Sequence, residues 1–169
     1  MRDCEVAACF NRVFADEDTV MIGGASEPLY VPASEGQPAR LFYREDFAAS
    51  ALHEAAHWCI AGSGRRGQVD FGYVYVPPPR DAQAQHQFFA AEIRTQALES
   101  LFAQAAGVKF RASADNLEVS PDVFAQQIAI ARPDMHRWCM DSADCRARRF
   151  LAALQHAAVG CDGDQCGAG

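Results

Sequence analysis

The stretch Phe47-Ala48-Ala49-Ser50-Ala51-Leu52-His53-Glu54-Ala55-Ala56-His57-Trp58-Cys59-Ile60-Ala61-Gly62 decides how the rest of the chain is read. Its residues are almost all apolar or small, and a glycine stands just past the end. That pattern predicts a buried helix over about residues 47–61, with Asp46 as its cap. Inside it lies His53-Glu54-Ala55-Ala56-His57, an HExxH sequence. Residues four apart on a helix share one face with their Cβ atoms about 5–6 Å apart, so two imidazoles there can chelate one ion. The helix sets their spacing before any metal arrives. The alternative, two core histidines each satisfied by a backbone carbonyl, is hard to build twice on one buried face.

Working outward, apolar positions at Val6, Cys9, Phe10, Val13 and Phe14 predict a helix over 4–15. Short strands are expected at Thr19–Ile22, Leu29–Val31 and Arg40–Tyr43, with a turn-rich segment at Ala33–Pro38. The alternating, Val/Phe/Tyr-rich run Gln68–Val76 reads as another strand, ended by Pro77-Pro78-Pro79. Residues 81–106 are helical in pattern, with a break expected near Thr95 and a stop at Gly107. Val108–Arg111 is a strand candidate. Ser120-Pro121 opens a helix towards Trp138 that Pro133 should disturb, and a last helix covers about 144–158. The fold class that follows is α+β: one domain of several helices around a small mixed or antiparallel sheet, with the HExxH helix in its core. Residues 1–159 form this metal-binding domain, and the glycine-rich 160–169 is expected to be a flexible tail.

Composition bounds the function. With 22 acidic against 15 basic residues, the net charge is −7, which speaks against general nucleic-acid binding and suits either simple solubility or a cationic partner. No apolar run approaches the roughly 18 residues needed to cross a bilayer. The start carries acidic residues and no sustained apolar core, so it does not read as a secretory signal, and the expected location is cytoplasmic. The 7 cysteines have no CxxC spacing and read as reduced thiols, with Cys9 and Cys59 serving as small hydrophobes.

A two-histidine site needs a third protein ligand. The downstream candidates are His86, Glu92, Glu99, Asp115, Glu118 and His136. Glu92 leads because it sits in the apolar run Phe88-Phe89-Ala90-Ala91-Glu92-Ile93, where a carboxylate is costly to bury unless it meets a cation. Periodicity alone leaves it divided between that role and a wet helix face beside Arg94. Two histidines and a carboxylate serve two chemistries. With zinc and a water, Glu54 is the general base of a peptidase; with iron(II), the ligands form a facial triad with open positions. Spacing does not choose between them. A peptidase also needs an edge strand and a cleft for extended peptide, and the sequence identifies neither.

Beyond the motif, His53 to Gly62, Arg65-Arg66, Val69-Asp70-Phe71-Gly72-Tyr73-Val74-Tyr75, Arg80-Asp81-Ala82-Gln83, Glu92-Ile93-Arg94 and Asp115-Asn116-Leu117-Glu118 together resemble the elongation factor P hydroxylase family. The resemblance spans roughly residues 20–155. It implies a non-haem iron enzyme, with zinc or manganese as alternative occupants of the site, that uses dioxygen to hydroxylate the β-lysylated lysine of elongation factor P. Carried over by position, it implies His53, His57 and Glu92 as metal ligands and Glu54 as a proton-handling group. It implies that Asp70, Tyr73, Tyr75 and Arg80 line the substrate approach. The chain departs from the family pattern at Val74, at Pro77-Pro78-Pro79 and at Thr95, changes that bear on substrate contact and not on the metal. A rival from another class is a non-catalytic adaptor of the same translation factor, carrying a structural metal. Such a site would be closed by four ligands, which the open triad argues against. Arg65-Arg66 reads as a solvated pair, Trp58 as core, and His86, His136 and His156 as surface or otherwise satisfied.

Overall fold

Every residue from Thr95 to Ala103 is buried, although four of the nine (Thr95, Gln96, Glu99 and Ser100) are polar. They lie in the middle of a 25-residue helix, and a helix enclosed on all sides must be the centre of its domain. The computed structural model describes residues 1–72, 82–114, 120–141 and 145–161. In chain order its elements are α1 (Asp3–Val13), a 3-10 turn (Ala15–Glu17), β1 (Thr19–Ala25), β2 (Leu29–Val31), β3 (Ala39–Arg44), α2 (Ala48–Ile60), α3 (Ser63–Arg66), a second 3-10 turn (Val69–Gly72), α4 (Ala82–Ala106), α5 (Pro121–Met140) and α6 (Arg146–Cys161). The class is α+β. Helix α4 is the long central helix, packed against α2, α5 and α6. Among the described residues no helix is long and apolar enough to cross a membrane.

The sheet is small and mixed, in the order β1-β3-β2, with β1 parallel and β2 antiparallel to β3. Its inner face presents Met21, Tyr30, Leu41 and Tyr43, all buried, and α1 and α2 pack on this side of the domain. The register places Ile22, Phe42 and Leu29 side by side on the other face. At the edge of the sheet, Asn11 receives the amide of Met21 (2.6 Å) and donates to its carbonyl (3.1 Å), so a side chain occupies hydrogen-bonding groups that another strand would need.

Several expected features change. Asp46 does not cap α2: the N-cap is Phe47, without a side-chain bond, and Ser50 instead accepts the amide of Arg44 (3.0 Å). No break occurs at Thr95, whose hydroxyl donates back to the carbonyl of Ala91 (3.1 Å) within an unbroken helix. Helix α5 likewise continues through Pro133. Val108–Arg111 is not a strand; the chain leaves α4 through Gly107 (φ 64°), with the Val108 amide returning to the Ala103 carbonyl at 2.9 Å.

The largest departure is at Gln68–Gly72. Instead of a strand, Asp70, Phe71 and Gly72 adopt consecutive left-handed conformations (φ 47°, 58° and 70°). Tertiary contacts hold the turn: Phe71 stacks on Tyr30 with centroids 4.3 Å apart, and Asp70 accepts the Tyr30 amide at 2.9 Å. The remainder of the expected strand, through Val76, lies outside the described residues, as do 162–169 of the expected tail. Gly160 and Cys161 belong to α6.

Candidate metal centre

Helix α2 buries Ala51, Leu52, Ala55, Ala56, Trp58 and Cys59 and leaves His53, Glu54 and His57 half-buried. Its C-terminal end is braced. Arg146 donates to the carbonyls of Cys59 (3.3 Å) and Ala61, satisfying acceptors that a helix end leaves open. The guanidinium groups of Arg146 and Arg66 lie 4.8 and 5.2 Å from the ring centroid of the fully buried Trp58. Glu17 is their shared counter-charge, 2.7 Å from Arg66 and 3.6 Å from Arg146. Arg66 is therefore part of the support beneath the HExxH helix and not a solvated residue.

The two imidazoles face each other, Nε2 to Nε2, at 3.1 Å. Glu92, on the neighbouring α4, brings Oε1 to 3.5 Å from His57 Nε2 and Oε2 to 3.9 Å from His53 Nε2. One ligand atom from each of the three residues falls within 4.8 Å of the others, a grouping able to hold a metal ion. The fit is quantitative. Ligand atoms about 2.1 Å from a common ion lie at most roughly 4.2 Å apart, and near a right angle they are about 3 Å apart. The separations of 3.1, 3.5 and 3.9 Å fall inside that limit when each histidine is taken with its nearer Glu92 oxygen. Two imidazoles and a carboxylate suit iron, manganese, cobalt or zinc.

The far side of each ring meets α4. His53 Nδ1 is 2.9 Å from Glu99 Oε2, and His57 Nδ1 is 3.4 Å from Thr95 Oγ1. Gln96 donates to Glu92 Oε2 (3.2 Å) and ties the loop after α4 through both backbone groups of Ser113. Three of the four buried polar residues of α4 are thus spent on this centre, and the fourth, Ser100, donates to the Ala97 carbonyl and accepts from Arg132.

Electrostatics follow from this geometry. Burial disfavours a charge on His53, but the hydrogen bond and charge of Glu99, with Glu54 and Glu92 nearby, outweigh it and push its pKa up to about 10. Burial would raise the Glu92 carboxyl, yet contact with His57 and the charge of both imidazoles bring it down to about 2. Glu54 is raised, by burial first and then by Glu92 and Asp70, against the lowering effect of the two histidines. Of Glu54 and Glu92, Glu54 is the one readier to hold a proton.

Of the residues singled out in the sequence, His53, His57 and Glu92 converge, and Glu54 and Asp70 lie within electrostatic reach of one another. Tyr73, Tyr75 and Arg80 lie outside the described residues, as do Asp115 and Glu118. His86, His136 and His156 are exposed. Sequence reasoning did not find Glu99 and Thr95 as partners of the histidines. The available signal was their spacing from Glu92: offsets of three and seven keep Glu92, Thr95 and Glu99 on one face of α4.

Comparison with known proteins matches residues 9–160 to the family described as elongation factor P hydroxylase. Among curated proteins, the chain is similar to the elongation factor P lysine hydroxylase of Haemophilus influenzae, 43% identical over 119 residues, which cover 69% of this chain and 67% of that protein.

Proposed function

This chain belongs to the elongation factor P hydroxylase family, and from that premise we propose that it is a metal-dependent hydroxylase of the modified lysine of elongation factor P. The observation that carries the mechanism is the convergence of His53, His57 and Glu92. These residues would hold one divalent ion, by this reading iron(II), which when bound supplies the reaction with dioxygen at a carbon–hydrogen bond. The protein's part is positioning, charge and proton handling. Glu54, its carboxyl raised by burial, holds or exchanges a proton beside the ligands. Asp70 and Glu92 make the local field negative, which favours a cationic lysine side chain. Asp70, Tyr73, Tyr75 and Arg80 are proposed to line its approach.

The test uses anaerobically purified protein, iron(II), a reductant and elongation factor P bearing its modified lysine, followed by admission of air. The expected result is a gain of one oxygen atom on that lysine by intact mass. Glu92→Gln should keep the fold while losing most bound metal and all oxygen transfer, because an amide is a poor metal ligand but an acceptable helix residue. No oxygen transfer by the metal-loaded protein, with cleavage of a casein-like peptide in zinc, would favour a peptidase. Equal metal content in wild type and Glu92→Gln would remove Glu92 from the site.

A further inference from the structure

We propose that Glu99 is a positioning residue of the metal centre: its buried carboxylate accepts the Nδ1–H of His53 and so holds that ring with its Nε2 lone pair turned to the ion. The inference rests on the metal reading above and deepens it. Glu99 is 6% exposed and sits among Leu98, Leu101 and Phe102 in the enclosed part of α4. A carboxylate in such surroundings is costly unless it is paired, and the contact it makes is with His53, at 2.9 Å. An apolar residue of similar size would fill the same space without that cost.

The geometry separates the two nitrogens of the ring. Nδ1 faces Glu99, while Nε2 faces His57 and Glu92. An acceptor at Nδ1 selects the tautomer in which the proton sits there, which leaves the Nε2 lone pair for the ion. An anionic acceptor also makes the imidazole a stronger donor, the carboxylate–histidine–metal arrangement. The outer nitrogen of His57 meets a neutral group. The Thr95 hydroxyl donates to the Ala91 carbonyl and so offers His57 Nδ1 a lone pair, but at 3.4 Å and without a charge. Of these two outer contacts, the charged one is on the His53 side of the pair. Residue 99 lies seven positions after residue 92, about two helical turns, so one face of α4 supplies both a ligand and the support of another ligand. A small rotation of that helix would disturb both together.

The test compares wild type, Glu99→Gln and Glu99→Leu by titrating each metal-free protein with cobalt(II) alone, following its visible absorption, and by measuring metal-free thermal stability. Wild type should take up one equivalent. Glu99→Gln, which can still accept a hydrogen bond but carries no charge, should bind roughly tenfold more weakly, and Glu99→Leu roughly a hundredfold more weakly. Glu99→Leu should nevertheless remain folded. Affinity within about twofold of wild type in both variants would overturn the proposal while leaving the metal reading intact. Failure of wild type to bind any cobalt would overturn both. Should the variants not fold, nitrogen-15 spectra of the zinc-loaded wild type decide the question. A protonated, hydrogen-bonded His53 Nδ1 is expected, and a metal-bound Nδ1 would overturn the proposal.

Discussion

At the scale of single residues, the 3.1 Å contact between two Nε2 atoms has a consequence for proton binding. Two lone pairs do not face each other at that distance, so in the metal-free protein one ring must donate to the other. His53, already donating Nδ1–H to Glu99, is the ring whose pKa is pushed up to about 10, so it carries the second proton and His57 accepts it. The folded-state value lies above the ordinary histidine value of about 6.5. Stability from this charge is therefore fully present below about pH 6.5 and is lost as pH rises towards 10. A metal ion acts in the opposite sense, because it must displace the shared proton. Manganese(II) affinity should rise with pH across that window, by up to about tenfold per unit for one proton. Calorimetry in buffers of different ionisation enthalpy would count the protons released. Affinity independent of pH would mean that the site is already deprotonated when metal-free.

At the scale of elements, the Val69–Gly72 turn shows how tertiary contacts override a strand pattern. Val, Phe and Tyr alternate there as they would in a strand, yet the backbone takes three consecutive left-handed residues. Two of those are not glycine, a conformation that needs compensation. The compensation is specific: Phe71 is buried against Tyr30, and Asp70 receives the Tyr30 amide. Asp70 therefore has a structural task beside its proposed part in the substrate approach. Asp70→Ala should cost about 1–2 kcal/mol, because it leaves the Tyr30 amide without its acceptor and puts alanine at a left-handed position that it tolerates poorly. Asp70→Asn keeps an acceptor and tolerates that conformation, and should stay within about 0.5 kcal/mol of wild type. Urea unfolding of the metal-free protein measures both. An unchanged midpoint in Asp70→Ala would mean that the stacked Phe71 alone holds the turn.

At the scale of the whole molecule, 22 acidic residues against 15 basic ones give the chain a negative field, and Asp70 and Glu92 concentrate part of it at the site. A cationic target should be captured faster at low ionic strength. Salt shortens the reach of exposed charges to about 8 Å under physiological conditions. The kcat/KM for modified elongation factor P should fall several-fold, roughly, from low to physiological salt, with kcat nearly unchanged. A kcat/KM that is flat across that range would leave the acidic surface as a device for solubility.

Sequence alone was sufficient wherever the determining contacts are local. The spacing of His53 and His57 follows from the helical period, and the apolar residues around them mark a buried helix before any partner is known. The same is true of α1, the three strands to within a few residues, and the α+β class. Only the tertiary structure decided which polar residues meet across the core. Glu99 and His53 are 46 positions apart, and Thr95 and His57 are 38 apart, so no local period connects them. Sequence pattern could mark Glu92 as a carboxylate in an apolar helix, but only the packing of α4 on α2 brought it to the histidines. The placing of half-buried Arg66 over Trp58, and the left-handed turn at Asp70, likewise depend on what the fold sets against them. A side chain's local pattern records the surface it prefers, and its partner is chosen by the packing of elements distant in the chain.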